Sequence, residues 1–361
     1  MSGRGLRSSR LGLAAALLLL CAMSTACVAA RMRLEELPEQ PIAFVHWADK
    51  AGQKRGEIFE SAAETPPLPP DEVDPEGLQE HQIRAHLRGD ETLVLRSKLA
   101  KYPGRLMLLW PRTGEIERID AAPLDSLPLA WSPDRERLLI ASAHRGGKEQ
   151  LYEYHLRQKV LSPVTAGPLE HSRGDYDGQG RIVVHQSERV SDRGASRTTV
   201  HRLRAGSRVG PALAQGVPPG PLRVLPEGDR IVYEQIRPRP RRNGPTVFES
   251  LVAIRALSPG AEEDRLIKGR EPTLTPDGQW IVFASKSTAG YRLRRMRLDG
   301  TSRVAIGPGG AEERMPSVSP DGEFIAFVQL SGSRRRLVVR RYDGKDERVL
   351  LPSGWSEFPV W

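Results

Sequence analysis

Few residues in this 361-residue chain are spaced for catalysis. A serine nucleophile on a strand-to-helix turn would show G-x-S-x-G, and no such motif occurs. His81 and His86 stand five apart and lack the Glu of H-E-x-x-H, so they are not read as a zinc site. No strand is followed by G-x-G-x-x-G, and no phosphate loop is present. Asp175-Tyr176-Asp177-Gly178 sets two carboxylates two residues apart, a spacing that can share a hard cation. It lacks a third early ligand and a terminal Glu, and its register makes it one copy of a repeated turn. The expectation is therefore no catalytic set, no metal and no cofactor.

The residues that do concentrate are arginines: Arg237, Arg239, Arg241 and Arg242, then Arg334, Arg335 and Arg336, with a further run between Arg189 and Arg197. The formal net charge is +9. A rim of this kind attracts anionic partners and speeds association at low salt. An acidic protein or peptide, an anionic polysaccharide or lipid headgroups would all fit. Arginine serving only to solubilise loops is the competing reading. Nucleic acid fits poorly, because no aromatics interleave the clusters for base stacking.

The chain is 39% hydrophobic and 27% charged, which excludes wholesale disorder. Its 34 Gly and 30 Pro suit a fold with many tight turns. The first residues read as an address. Arg4, Arg7 and Arg10 precede an apolar run over residues 11–20, too short for a bilayer span of about twenty residues. Ser24-Thr25-Ala26-Cys27 then resembles a bacterial lipobox, with Ser24 where that pattern usually has Leu. The resemblance implies a signal peptide over 1–26, a diacylglycerol on the Cys27 thiol and a tether over 27–40. The alternative is cleavage after Val28-Ala29-Ala30, giving a soluble exported protein. Cysteine usage favours lipidation. Of two cysteines, Cys21 lies in the apolar run and Cys27 would be the first mature residue.

The rest of the chain repeats. LPLAWSPDRERLLIAS (127–142), GPLRVLPEGDRIVYE (220–234), REPTLTPDGQWIVFAS (270–285) and RMPSVSPDGEFIAFV (314–328) share one plan. Each has a Pro, a short apolar stretch, a Pro-acid turn and an apolar strand. The acidic turn residues Asp90, Asp134, Asp177, Glu227, Asp277 and Asp321 are spaced by 44, 43, 50, 50 and 44. A polar loop and two more short strands follow each turn strand. Tandem units of four short strands are the signature of propeller blades. Pro presets φ in these turns, Asp bonds its own turn, and Gly278 and Gly322 accept positive φ.

The repeat x-P-x-[WFLV]-S-P-D-G-x-x-[IL]-x-[FV] resembles that of TolB-type propellers, most closely at Asp277-Gly278 and Asp321-Gly322, over most of residues 85–352. The resemblance implies an all-β propeller of four-stranded blades spanning 41–361. Residues 41–59 look like a second and third strand, and Phe358-Pro359-Val360-Trp361 looks like an inner strand. The C-terminal strand should thus join an N-terminal blade and leave no open edge. Counting that blade with six repeat units favours seven blades; six is the alternative, with 41–59 an arm.

The expected function is a non-catalytic envelope scaffold. It would be a monomer, membrane-tethered through Cys27 on the periplasm-facing side, with the outer membrane favoured, and would bind a protein or peptide on one face and the central channel. The alternative is a propeller lyase or hydrolase, or a binder of envelope carbohydrate. TolB itself carries an α/β domain for which this chain has no room, so membership of its system is not carried over.

Overall fold

The computed structural model describes residues 32–48, 54 and 103–361, except 145–146, 190–195, 205–207, 242–243, 289 and 332–333. Strands β1 (Ile42–Trp47), β2 (Arg105–Leu109) and β3 (Ile116–Arg118) come first. The first complete blade is β4 (Leu127–Trp131), β5 (Arg137–Ser142), β6 (Gln150–His155) and β7 (Val160–Pro163). The second is β8 (Glu170–Tyr176), β9 (Ile182–Arg189), β10 (Ser196–Arg204) and β11 (Arg208–Gln215). The third is β12 (Leu222–Val224), β13 (Arg230–Arg241), β14 (Gly244–Ala256) and β15 (Glu263–Lys268). The fourth is β16 (Arg270–Leu274), β17 (Trp280–Ser287), β18 (Gly290–Arg297) and β19 (Val304–Ala305). The fifth is β20 (Glu312–Val318), β21 (Phe324–Ser331), β22 (Arg334–Arg341) and β23 (Glu347–Leu351). The chain ends on β24 (Trp355–Val360).

Each of the five complete blades is an antiparallel meander, with its strands in chain order from the channel outward. The closing blade is different. Its order is β24-β1-β2-β3, so the C-terminal strand is innermost and pairs with β1, Val45 opposite Glu357 and Trp47 opposite Trp355. The expected clasp is present. A single parallel pair, Arg335 with Trp355, joins it to the fifth blade.

Second strands are buried on both faces because neighbouring blades stack on them, which is why they read as unbroken apolar runs. Six apolar clusters result, one per interface. Val45, Trp47 and Leu108 of the closing blade meet Trp131 and Leu138 of the first. Leu139 meets Val184, and Val183 meets Ile231. Val232 meets Phe283, and Val282 meets Phe327. Ala326 and Leu337 of the fifth blade meet Phe44 of the closing blade. The sixth cluster returns to the starting sheet, so the described residues form a ring of six blades.

That corrects the favoured count of seven. The strand RLMLL (β2), which by its spacing reads as part of a unit with the Asp90 turn, pairs directly with β1, Phe44 opposite Met107. The two expected units are one blade, with residues 48–104 between its second and third strands. IAFVHW supplies only the second strand, and the Asp90 turn and residues 49–53 and 55–59 lie outside the described residues.

The repeated turns hold as expected. In each, the hydroxyl of Ser132, Thr275 or Ser319 donates to the Asp two residues on. The same oxygen accepts the N–H five residues on, at 2.9–3.1 Å. Asp134, Asp277 and Asp321 each accept the N–H two residues on. Asp177 does the same toward Gln179 at 3.0 Å and pairs with Arg181 at 2.7 Å. Asp177 therefore sits in a blade turn, as its register implied.

Candidate functional site

The six inner strands surround a cavity of about 80 Å3. Its lining takes one position from each blade: Pro128, Gly174, Pro221, Pro272, Pro316 and Pro359. The five imino rings narrow the channel and remove N–H groups that would otherwise face it unpaired. The residue before three of the prolines has positive φ: Glu271 at 54°, Met315 at 52° and Phe358 at 55°. Left-handed backbone in a non-glycine residue costs on the order of 1–3 kcal/mol, and here the cost recurs at one register around the channel. Each bulge shifts the ladder to the second strand, between Arg270 and Thr273 and between Arg314 and Ser317.

A buried ionic chain supports these bulges. Glu271 takes Arg314 in a fork, Nη2 to Oε1 at 2.7 Å and Nε to both oxygens at 3.1 Å. Its Oε2 also accepts the Met315 N–H at 2.7 Å. Arg270 lies between Glu234 at 3.7 Å and Glu271 at 3.9 Å. Tyr291 stacks under both guanidinium groups, 5.2 Å from Arg270 and 4.7 Å from Arg314. Burial pushes the Glu271 carboxyl up, but Arg314 and Arg270 outweigh it and hold it below the usual range. Glu271 is therefore an ionised structural anion with its lone pairs spent, not a proton carrier.

Two arginines of the lining differ. Arg223 reaches across from the third blade, and Nη1 donates to the Leu129 carbonyl of the first at 2.9 Å. Arg173 donates Nη1 to the Ser172 carbonyl at 2.5 Å and lies 3.9 Å from Glu149. Nε and Nη2 of both make no hydrogen bond within the described residues, and none of these atoms is sealed from solvent. Asp175, beside them, accepts on both oxygens: Oδ2 takes the Val224 N–H at 2.8 Å and Oδ1 that of Tyr176 at 2.9 Å. Burial pushes its carboxyl up to about 6, against the pull of Arg223. The channel thus presents prolines, aliphatic groups and spare guanidinium donors.

The arginine clusters lie at junctions of second and third strands, which all open on one face of the ring. Arg237 is exposed on the β13–β14 hairpin, with Arg239 and Arg241 farther along β13; Arg242 lies outside the described residues. Arg334 is exposed at the start of β22. Arg335 is turned to the clasp, ion-paired with Glu357 and stacked 4.3 Å from the Trp355 ring. Arg336 has a buried Nε without a hydrogen-bond partner. Cys27, His81 and His86 lie outside the described residues, among which no group of three or more His, Cys, Asp or Glu gathers closely enough for a metal.

Sequence reasoning missed Arg173, Arg223 and Glu271. The signal was the inner-strand proline, whose neighbours line the channel in register. Glu312-Glu313 reads in sequence as a solvated loop charge pair, and the structure differs. Glu313 is 1% exposed and pairs with Arg340 at 2.6 Å, because β20 begins earlier than its sequence suggested and carries Glu313 inside.

No family model matches the chain, and no curated protein is similar to it in sequence. Solved structures are similar in fold. A TolB from Acinetobacter baumannii superposes with a TM-score of 0.58 at 15% identity, over 99% of this chain and 74% of the other. A putative TolB from Agrobacterium tumefaciens gives 0.53 at 22% identity, over 69% and 87%. At such identities the likeness shows the fold alone, and that fold is the β-propeller.

Proposed function

We propose that this protein is a non-catalytic scaffold of the bacterial envelope, lipid-anchored at Cys27, that holds an extended acidic segment of a protein partner at its channel. The spare Nε and Nη2 donors of Arg173 and Arg223 in a proline-walled cavity carry this reading. Such donors favour a carboxylate, because charge-assisted bonds are about twice as strong as neutral ones. The carboxylates near the channel support binding over chemistry: Glu271 is saturated by arginine and the Met315 N–H, and both Asp175 oxygens are held by backbone N–H groups. Exposed Arg237 and Arg334, with Arg239 and Arg241, would draw the partner to the face where the hairpin stands.

The test uses fluorescein-labelled unstructured peptides, one rich in Asp and Glu and one rich in Lys, read by anisotropy. Arg173→Gln with Arg223→Gln should weaken the acidic peptide tenfold or more, since a bond to a charged group contributes about 1.5–3 kcal/mol. Equal affinity of wild type and double variant for the acidic peptide would remove the channel from the proposal.

A further inference from the structure

If Cys27 is lipidated, the packing of the segment after it fixes which side of the propeller meets the membrane; the inference rests on that anchor. The expected tether over 27–40 is packed on the ring from Met32 onward. Met32 is 3% exposed, and its carbonyl accepts Arg348 Nη1 at 3.3 Å. Glu36 pairs with Arg341. Leu37 is fully buried and its carbonyl accepts Arg112 Nε at 2.9 Å, while Glu39 holds Arg112 Nη1 at 2.7 Å. The Gln40 carbonyl accepts Trp361 Nε1 at 3.0 Å.

These anchors share one face. Arg341 and Arg348 flank the turn between β22 and β23, and Arg112 lies in the matching turn between β2 and β3. Trp361 follows the end of inner strand β24. Third-to-fourth turns and inner-strand ends open on the same side of a meander blade as the Ser-Pro-Asp turns. Residues 32–40 therefore cross the turn face, and the chain leaves it at the outer edge of the fifth blade.

Only five residue steps separate Cys27 from Met32, which reach at most about 17 Å. The opposite face is farther than that. Strand β22 has eight residues and spans about 23 Å from Arg334 to Arg341. We propose that the turn face, at its fifth-blade corner, is applied to the phospholipid headgroup layer. The face bearing Arg334 and the β13–β14 hairpin then points away from the membrane, open to a partner.

The acylated full chain would be reconstituted in vesicles of phosphatidylethanolamine and phosphatidylglycerol carrying a headgroup nitroxide. With Cys21 in the signal and Cys27 acylated, an introduced cysteine is unique. Bimane would be placed by Lys345→Cys on the fifth-blade turn, Gln179→Cys on the second-blade turn, and Arg334→Cys on the far face. Quenching at position 345 should exceed that at 334 at least twofold, with 179 also above 334. Quenching at 334 equal to or above that at 345 overturns the orientation while leaving the anchor intact. A mature chain whose mass carries no acyl groups, and which behaves like Cys27→Ser, overturns the anchor and the orientation with it.

Discussion

The carboxylate of Glu271 holds the backbone of the next blade: its Oε2 accepts the N–H of Met315, 44 residues on, at 2.7 Å. The device recurs, because Met315 sulfur accepts the N–H of Phe358 at 3.3 Å. All three residues have positive φ and precede a proline. Glu271 and Met315 each reach the equivalent N–H one blade later, a step that side-chain length allows because inner strands converge.

Replacing Glu271 should therefore damage more than one blade. Glu271→Gln keeps an acceptor for Met315 but leaves Arg270 and Arg314 buried with less counter-charge. Removing one member of a buried ionic set costs about 3–5 kcal/mol. Urea unfolding at pH 7 should show that loss, and Glu271→Gln with Arg314→Met should recover part of it. A loss below about 1 kcal/mol would mean that Glu234 alone neutralises Arg270.

The clasp should be required by the whole ring. Val360 and Trp361 bond across three blades: Trp131 Nε1 to the Val360 carbonyl at 3.2 Å, and Trp361 N–H to Ser317 Oγ at 2.9 Å. Arg135 Nη1 also reaches the Trp361 carbonyl at 3.1 Å. Deleting Phe358 to Trp361 opens the closing blade and exposes both its neighbours' clusters. Far-ultraviolet and tryptophan-fluorescence melting curves should shift down together, by ten degrees or more. A fluorescence-only change would show that the clasp is local.

Much of this fold was legible because it repeats. The Ser-Pro-Asp turn is a local device whose hydroxyl, carboxylate and glycine act within six residues, so it marks each blade without tertiary information. The blade count was not legible. Strand β2 has no local feature that tells whether it pairs with IAFVHW or belongs with the Asp90 turn, and only the stacking on Trp131 and Leu138 decides. The channel arginines were hidden for a similar reason. Arg173 sits in a polar strand and Arg223 in an apolar one, and they line one cavity only because the ring closes.

The arginines of β13 and Arg334 should govern rate more than equilibrium. Replacing Arg237, Arg239, Arg241 and Arg334 by Gln removes four positive charges from one face. Stopped-flow association of the acidic peptide should slow about tenfold at 20 mM salt and change little at 500 mM, because exposed charges are screened there. The dissociation rate should stay the same. An association rate indifferent to the substitutions would assign these arginines to solubility.

Acid titration should reveal two opposed groups in the second blade. His185 is buried, with Nε2 at 2.9 Å from the Val217 carbonyl. Burial pushes its imidazole down to about 4. The unfolded chain then binds more protons between about pH 4 and 6.5, so this group's stability is full above that window and is lost as pH falls through it. A shift of this size corresponds to about 3 kcal/mol. Asp175 acts the other way. With its carboxyl pushed up to about 6, the folded chain binds more protons between about pH 4 and 6, and its contribution falls as pH rises there. The two slopes oppose each other, so the wild-type melting temperature should vary little from these groups between pH 4 and 6. Asp175→Asn removes one slope and should leave stability rising steeply with pH. His185→Gln removes the other and should leave it falling. Parallel pH profiles for the two variants would show that neither group titrates where its burial puts it.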